Sequence, residues 1–237
     1  MILFGINFNL IYFIVIGKIA SVLRSEELKW YLGIILTAAI TITVNISSMY
    51  SSIFEAFRYA IFQVASIITT TGFVTADYGN WPLFSQVIIV LLMFVGACAG
   101  STGGGMKVSR IVIYIKSAFA EIKRLVHPHS VVSVDFEGEH LKSSVLENIH
   151  TYLVCYLGIL AISLLCVSLQ NIDFTSSFTA VVTCLNNVGP GLNIVGPVGN
   201  FSSLTDFSKL VLCFDMLAGR LEIFPMLMIF SPTLWKK

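Results

Sequence analysis

The sequence Thr69-Thr70-Thr71-Gly72-Phe73 decides the architecture of this chain, because a degenerate copy of it follows as Asn186-Asn187-Val188-Gly189-Pro190. Each copy, called a glycine loop below, ends a short apolar run and precedes a Gly-Asn-aromatic triplet and a long apolar stretch. A repeated unit of helix, short half-buried helix, glycine-centred loop and helix is typical of cation-channel pores. In such pores backbone carbonyls replace the water shell of an ion. Glycine suits these loops because it adopts the necessary backbone angles at little steric cost.

The composition is that of an integral membrane protein. Of the 237 residues, 56% are hydrophobic and 11% are charged, and the mean hydropathy is +0.88. A soluble domain carries about 25% charged residues. The net charge of +1 and the lack of a basic cluster with interleaved aromatic residues give no reason to expect a nucleic-acid partner.

The polar side chains do not form the constellations of an enzyme. The five cysteines stand singly in apolar segments, without the spacing of a zinc site or a disulfide framework. The four histidines all fall in one hydrophilic stretch. With no pairing of nucleophile and base, we expect no catalytic activity and no cofactor.

Segment lengths predict which apolar stretches cross the bilayer, since a spanning helix needs about 20 apolar residues. The expected spanning stretches are residues 28–50, 82–100, 149–169 and 205–230. Residues 53–68 and 174–185 are too short, and we expect them to be re-entrant pore helices, the second with Asp173 as its N-cap. Irregular backbone at membrane depth is tolerated only where protein buries it or water lines it, so the glycine loops should line a pore.

The predicted fold is an all-α polytopic membrane protein with two helix–pore-helix–helix repeats. The repeats are residues 26–125 and 148–237, joined by a cytoplasmic linker at residues 126–147. Within the linker, the alternating residues 131–137 predict a short hairpin outside the membrane. Residues 1–17 are predicted to be the end of a preceding transmembrane helix, because they lack the basic n-region and the cleavage site of a signal peptide.

The positions of the basic residues predict the orientation in the membrane. Eleven of the fourteen lysines and arginines lie beside the connecting segments, away from the glycine loops. The opposite side has only Arg58 and Lys209, and Arg220 lies within an apolar stretch. The positive-inside rule therefore places the connecting segments in the cytoplasm and both glycine loops near the outer face.

A glycine-rich segment interrupts the second apolar stretch and consists of Gly100, Ser101, Thr102, Gly103, Gly104 and Gly105. It is not a phosphate-binding loop, because Met106 separates Gly105 from Lys107 and Val108 stands where that motif needs a hydroxyl. We interpret it as an irregular break in a membrane helix. The break either gates the pore or only kinks the helix.

Arg220 stands deep in the last apolar stretch, where a lone arginine costs about 2.5–3.5 kcal/mol unless it faces water or a partner. Glu222 is a poor partner, because residues two apart on a helix point to different sides. Snorkelling to the cytoplasmic interface is one alternative, and a position facing the pore is the other. Three aspartates on the side of the glycine loops either attract cations or cap loops and helices, namely Asp77, Asp173 and Asp206.

Four further motifs, together with the glycine loops, give the chain a family resemblance. They are Gly5-Ile6-Asn7-Phe8, Gly100 to Lys107, Asn187 to Leu192 and Gly219-Arg220-Leu221-Glu222. Over essentially its whole length, the chain resembles the C-terminal half of a Trk/Ktr-type, TrkH-like potassium-uptake membrane subunit. The resemblance implies four fused repeats around a pseudo-fourfold pore, of which this chain would hold the third and fourth. It also implies inward movement of potassium, as the transported ion, across the plasma membrane, the inner membrane of a bacterium.

The resemblance assigns roles to the motifs. Both glycine loops would form the selectivity filter, with K⁺ bound by the backbone carbonyls of Thr70, Thr71, Gly72, Asn187, Val188 and Gly189. Residues 100–105 would form an intramembrane gate, and Arg220 would stand below the filter as a barrier. The alternatives left open are a truncated membrane fragment that does not conduct, two copies paired into a four-repeat pore, and a sodium or non-selective cation transporter.

The resemblance also implies partners. A missing N-terminal half would supply the first two repeats, and the full subunit would form a homodimer within the lipid bilayer. A cytoplasmic nucleotide-binding regulatory subunit would dock on the basic region between Lys116 and Lys142.

Overall fold

The computed structural model describes residues 1–127, 133–221 and 223–229. Its helices are α1 (Phe8–Val15), α2 (Ile19–Arg24), α3 (Glu26–Ile46), α4 (Ile53–Ile68), α5 (Leu83–Val95), α6 (Val108–Val126), α7 (Ser143–Ser168), α8 (Phe174–Leu185), α9 (Asp206–Arg220) and α10 (Ile223–Ile229). Two short strands, β1 (Asp135–Phe136) and β2 (Glu139–His140), pair antiparallel. The predicted all-helical fold is thus confirmed for the described residues, with this one hairpin as the exception. A hairpin in the linker is itself predicted from the sequence.

Among the described residues, two helices are long and apolar enough to cross a membrane, one over Glu26–Met49 and one over Ser143–Ser168. They correspond to the predicted spanning stretches 28–50 and 149–169. One face of α3 exposes an apolar stripe at a spacing of four residues, formed by Leu32, Leu36, Ile40 and Val44. Such a stripe fits contact with lipid, since an exposed apolar face of this size is costly in water.

The two short helices α4 and α8 have the bounds that the sequence predicts. Ser52 caps α4 by accepting a hydrogen bond from Glu55 N at 3.2 Å. Asp173 caps α8 by accepting one from Ser176 N at 2.9 Å. The C-terminal half of α4 and most of α8 are buried, so both helices deliver their glycine loops from inside the bundle.

The helices pack in two groups of the same order. In the first group, α4 packs against α3 and α5, and in the second group α8 packs against α7 and α9. The groups meet where α5 contacts α8, with the rings of Phe94 and Phe178 6.3 Å apart. The largest hydrophobic core belongs to the first group but extends to Val182 and Val188 of the second.

In two of the predicted spanning stretches, the helix ends earlier than the sequence predicts. Helix α5 ends at Val95, and Gly96 adopts φ 68°, so the break begins before Gly100. The irregular connection from Gly96 to Lys107 is called the interhelix loop below. The single helix predicted over residues 205–230 is wrong, because α9 ends at Arg220 and α10 begins at Ile223.

The N-terminal stretch and the linker also differ in detail from their predictions. Residues 1–17 contain a 3₁₀ turn at Ile2–Gly5 and the separate helix α1, which Asn7 caps. Their assignment as the end of a spanning helix stays a prediction. The hairpin lies slightly further along the chain than residues 131–137, of which 131 and 132 fall outside the described residues.

Candidate functional site

The two glycine loops share a pattern of positive φ angles. In the first loop Thr70 adopts φ 52° and Gly72 adopts φ 77°, and in the second Asn187 adopts φ 56° and Gly189 adopts φ 112°. A positive φ is uncommon for threonine and asparagine, so its recurrence two residues before each glycine is a specific shared feature. The alternation turns successive peptide units in a way that a helix or strand does not allow.

A hydroxyl residue six positions before each glycine holds the loop in this shape. Ser66 O accepts a hydrogen bond from Thr71 N at 2.9 Å, and its Oγ donates to Phe73 O at 2.6 Å. Thr183 does the same in the second loop, accepting from Val188 N at 2.9 Å and donating to Pro190 O at 3.2 Å. The sequence analysis missed both residues, although a hydroxyl at the same distance before each glycine was a visible signal.

Six carbonyl oxygens remain between these anchoring points. They belong to Thr70, Thr71, Gly72, Asn187, Val188 and Gly189. Within the part of the chain that the structure describes, none of the six accepts a hydrogen bond. Five of the six residues are partly or fully exposed, so these two groups of three acceptors are open to a ligand or to water.

The first residue of each loop is an anchor. Thr69 is buried, and its hydroxyl donates to Ala65 O at 2.6 Å. Asn186 is fully buried, and its side chain exchanges hydrogen bonds with the Tyr156 hydroxyl at 2.9 and 3.1 Å. The last residues contribute less to a site, since Phe73 is 66% exposed and the Pro190 carbonyl is already paired.

The loops lie against each other although they are far apart in sequence. A Cβ atom on Gly72 would collide with the Val188 carbonyl, and one on Gly189 would lie 4.0 Å from the Gly72 Cα. The buried Tyr78, which sequence reasoning also missed, donates from its hydroxyl to Pro190 O at 3.2 Å. A cavity of about 460 Å³ runs along both loops and the facing side of α9, where Leu212, Cys213 and Met216 line it.

The interhelix loop contacts the start of both glycine loops. Gly104 N donates to Thr70 Oγ1 at 2.8 Å, and a Cβ atom on Gly104 would collide with the Asn186 carbonyl. Gly103 also lies close to Thr69 and Thr70. Glycine is required at Gly104 because any side chain there would push the segments apart.

Other contacts hold the interhelix loop from its far side. Ser101 Oγ donates to Cys98 O at 2.5 Å, and Lys107 Nζ donates to Gly103 O. The motif at residues 5–8 packs on the same loop, with Phe8 N donating to Gly100 O and Cys98 N donating to Gly5 O, both at 3.0 Å.

Arg220 reaches the predicted gate directly. Its Nη1 donates to Thr102 O at 2.8 Å, which joins the end of α9 to the glycine-rich segment 118 residues earlier. The structure thus brings the two parts of the predicted gate together. Glu222 lies outside the described residues.

Two of the three aspartates on the side of the glycine loops are caps. Asp77 accepts from Gly79 N at 3.1 Å, and Asp173 accepts from Ser176 N. Hydrogen bonds from the side chain and backbone of Ser176 hold the pKa of Asp173 below its ordinary value. Asp206 stands in the first turn of α9 and pairs with Lys209 at 3.4 Å.

The fold and this arrangement define a polytopic helical membrane protein of the transporter class, with two short helices that each present a glycine loop to one cavity. Residues 2–237 match the family model of TrkH, described as a cation transport protein. The chain therefore belongs to the TrkH family.

Individual relatives agree with this assignment. The chain is 37% identical over 240 residues to the Trk system potassium uptake protein TrkH of Escherichia coli strain K12, an alignment that covers 100% of this chain and 49% of that protein. It is 41% identical over 187 residues to the protein of the same name from Vibrio parahaemolyticus, covering 79% of this chain and 38% of that one. The crystal structure of the potassium transporter TrkH from Vibrio parahaemolyticus superposes with a TM-score of 0.90 at 34% identity, over 99% of this chain and 51% of that chain. The chain thus spans about half the length of the curated relatives it matches.

Proposed function

We propose that this chain forms half of a gated pore that takes up potassium across the plasma membrane. The observation that carries the proposal is the pair of glycine loops, which share a pattern of positive φ angles, leave six carbonyl oxygens unpaired within the described residues, and both line one cavity. In potassium channels, backbone carbonyl oxygens that line the pore replace the hydration shell of the ion. Relatives that match the whole chain carry the name of potassium uptake proteins.

The contacts support the roles that we propose within the site. The carbonyls of Thr70, Thr71, Gly72, Asn187, Val188 and Gly189 bind K⁺, while Thr69 and Asn186 anchor the loops. Residues 100–105 close the path, which their contacts with Thr70 and Asn186 support. Arg220 secures the closed segment through Thr102 and adds a positive charge that repels cations.

For the rest of the assembly, we propose the partners that the family resemblance implies. An N-terminal half supplies the first two repeats, and the complete subunit is a homodimer that docks a nucleotide-binding regulatory subunit on the basic linker. The glycine loops face the outside and the linker hairpin faces the cytoplasm.

Growth of a potassium-uptake-deficient Escherichia coli strain tests the proposal. The strain would carry a chimera that joins the first half of Escherichia coli TrkH to this chain, because two repeats cannot surround a pore. We expect growth at low potassium, and we expect Gly72→Ser and Gly189→Ser to abolish it while the membrane content of the chimera is unchanged. Uptake of rubidium and of radioactive sodium would be measured in the same cells.

Three results would decide against parts of the proposal. Growth that survives both serine substitutions would show that the glycine loops are not the filter. Equal uptake of sodium and rubidium would favour a non-selective cation transporter. Growth with the chain alone would favour a pore made by two copies of it.

A further inference from the structure

Glu27, the second residue of α3, is a buried carboxylate that binds two distant points of the backbone. It is 5% exposed. Its Oε1 accepts a hydrogen bond from Ala99 N at 2.7 Å and another from Ser109 N at 3.2 Å. These amides lie on the two sides of the glycine-rich segment 100–105. One oxygen atom therefore holds together the two ends of the segment that contacts both glycine loops.

A second carboxylate fixes the part of α3 that carries Glu27. Glu137 Oε1 accepts from Glu27 N at 2.8 Å and from the Ser25 hydroxyl at 2.8 Å. The first backbone N–H groups of a helix have no partner within the helix and attract negative charge, so this is a strong attachment. Neither glutamate was singled out by the sequence analysis.

Glu137 is presented by the turn of the linker hairpin. It adopts φ 53° and Gly138 adopts φ 82°, the signs that a two-residue type I′ turn requires. Glutamate is an unusual residue for this position, where asparagine, aspartate or glycine is preferred. Its carboxylate contacts with α3 give a reason for its presence there.

The hairpin is bound to α6 as well. Lys116 Nζ donates to Asp135 O at 2.8 Å and pairs with Glu26 at 2.5 Å. The hairpin therefore contacts the start of α3 and the middle of α6, which is the helix that follows the interhelix loop. Glu137, the start of α3 and Glu27 thus form a continuous series of contacts from the hairpin to the interhelix loop.

We propose that Glu27 is a positioning residue that clasps the interhelix loop in its closed arrangement, and that Glu137 couples this clasp to the linker hairpin. The proposal rests on the proposed function in assigning the gate to residues 100–105. A charged acceptor suits the role, since hydrogen bonds to ionised groups are about twice as strong as neutral ones. A partner that pulls the hairpin away would loosen the loop without touching the membrane-embedded residues.

Hydrogen exchange of the purified chain in detergent tests the clasp without any transport. Variants Glu27→Ala and Glu27→Gln would be compared with the wild-type chain by mass spectrometry of peptides covering residues 96–109. We expect exchange at these amides to become about tenfold faster in Glu27→Ala, less so in Glu27→Gln, which keeps an acceptor oxygen. Peptides of α7 should not change. Unaltered exchange at residues 96–109 in both variants would overturn the clasp.

The coupling to the hairpin has its own variant and control. Glu137→Asn keeps a residue that the turn prefers but removes the carboxylate, so we expect faster exchange at residues 96–109 with an intact hairpin. Glu121→Gln is the matched control, because the partner of Glu121 among the described residues is Arg124 of the same helix, at 2.7 Å. No change in Glu137→Asn would overturn the coupling, and this variant is informative even if Glu27→Ala fails to fold.

Transport by the chimera separates this proposal from the function on which it rests. We expect Glu27→Gln and Glu137→Asn to raise the maximal rate of rubidium uptake several-fold and to leave the half-saturating concentration unchanged. If the two residues were needed only for stability, the substitutions would lower the amount of chimera in the membrane and would not raise the maximal rate per amount of protein. Faster exchange with unchanged uptake would retain the clasp and contradict the gate. Changed uptake without faster exchange would overturn the clasp.

Discussion

At the scale of single residues, the two loop glycines are required for different reasons. A Cβ atom on Gly72 would collide with the Val188 carbonyl of the other loop, whereas one on Gly189 would make only an ordinary contact, at 4.0 Å from the Gly72 Cα. Gly189 instead adopts φ 112°, which lies outside the regions open to residues with a side chain. The first glycine is thus required by a contact between the loops as well as by its positive φ of 77°, and the second by its backbone conformation.

Gly72→Ala should therefore lower potassium uptake by the chimera about tenfold or more. The positive φ costs about 1–2 kcal/mol for a residue with Cβ, and the collision displaces the Val188 carbonyl as well. Rubidium uptake per amount of membrane protein measures the effect. Gly33→Ala is the matched control, because Gly33 lies within α3 and has no atom within 4 Å of the added Cβ. Equal uptake by both variants would contradict the prediction.

Ser66→Ala and Thr183→Val should each weaken selectivity for potassium over sodium. Each removes the hydroxyl that holds the carbonyl after a glycine, Phe73 O or Pro190 O. A lost hydrogen bond of about 0.5–1.5 kcal/mol leaves the loop looser and its carbonyls less well aligned. The test is the ratio of rubidium to sodium uptake. Ser168→Ala is the control, since that hydroxyl donates to Leu165 O of its own helix on an exposed face. A ratio unchanged in all three variants would disprove the anchoring role.

At the scale of elements, the sequence predicts the short helices well and the breaks poorly. Helices α4 and α8 have the predicted bounds because their lengths and caps are local properties. The interhelix loop starts at Gly96, four residues before the glycine-rich segment, although residues 96–100 contain no charged or strongly polar side chain. Hydrogen bonds to Gly5, Thr70 and Glu27 keep the interhelix loop out of a helical conformation. These partners are distant in the sequence, so the local sequence does not predict the contacts.

The cap of α8 allows a prediction on stability and pH. Asp173→Ala should destabilise the chain by about 1 kcal/mol, whereas Asp173→Asn should be nearly neutral at pH 7, because asparagine caps as well as aspartate. The pKa of Asp173 is lowered in the folded chain, chiefly by the hydroxyl of Ser176 and also by its backbone N–H. Its contribution is therefore complete above the ordinary aspartate pKa of 3.8 and is lost as the pH falls through the lower folded value.

Thermal unfolding in detergent at several pH values would check this. The difference between wild type and Asp173→Asn should stay constant from about pH 5 to 8 and change only below about pH 4. A difference that grows between pH 6 and 8 would assign the effect to another group. Asp206→Asn is a useful comparison, since Asp206 stands in the first turn of a helix but pairs with Lys209 there.

At the scale of the whole molecule, the site is assembled from segments that are distant along the chain. The glycine loops are 117 residues apart at Gly72 and Gly189, and the Arg220–Thr102 contact joins positions 118 apart. Repetition in the sequence predicts that the loops are equivalent, but only the structure shows that they touch, through the close approach of Gly72 and Val188. The Arg220–Thr102 hydrogen bond places the end of α9 on the interhelix loop, so the second group of helices can restrain the proposed gate.

Arg220→Gln should release that restraint and raise the maximal rate of rubidium uptake by the chimera several-fold. The substitution removes the charge from the path and the hydrogen bond to Thr102 O, which is worth about 1.5–3 kcal/mol for a charged donor. Arg220→Lys separates the two effects, because lysine keeps the charge but loses the planar fork that reaches the carbonyl. If the hydrogen bond secures the gate, both variants should be faster than wild type and should exchange amide hydrogens faster at residues 100–105. If the charge alone is the barrier, only Arg220→Gln should be faster, and exchange should not change. Wild-type rates in both variants would show that Arg220 neither holds the segment nor obstructs the path.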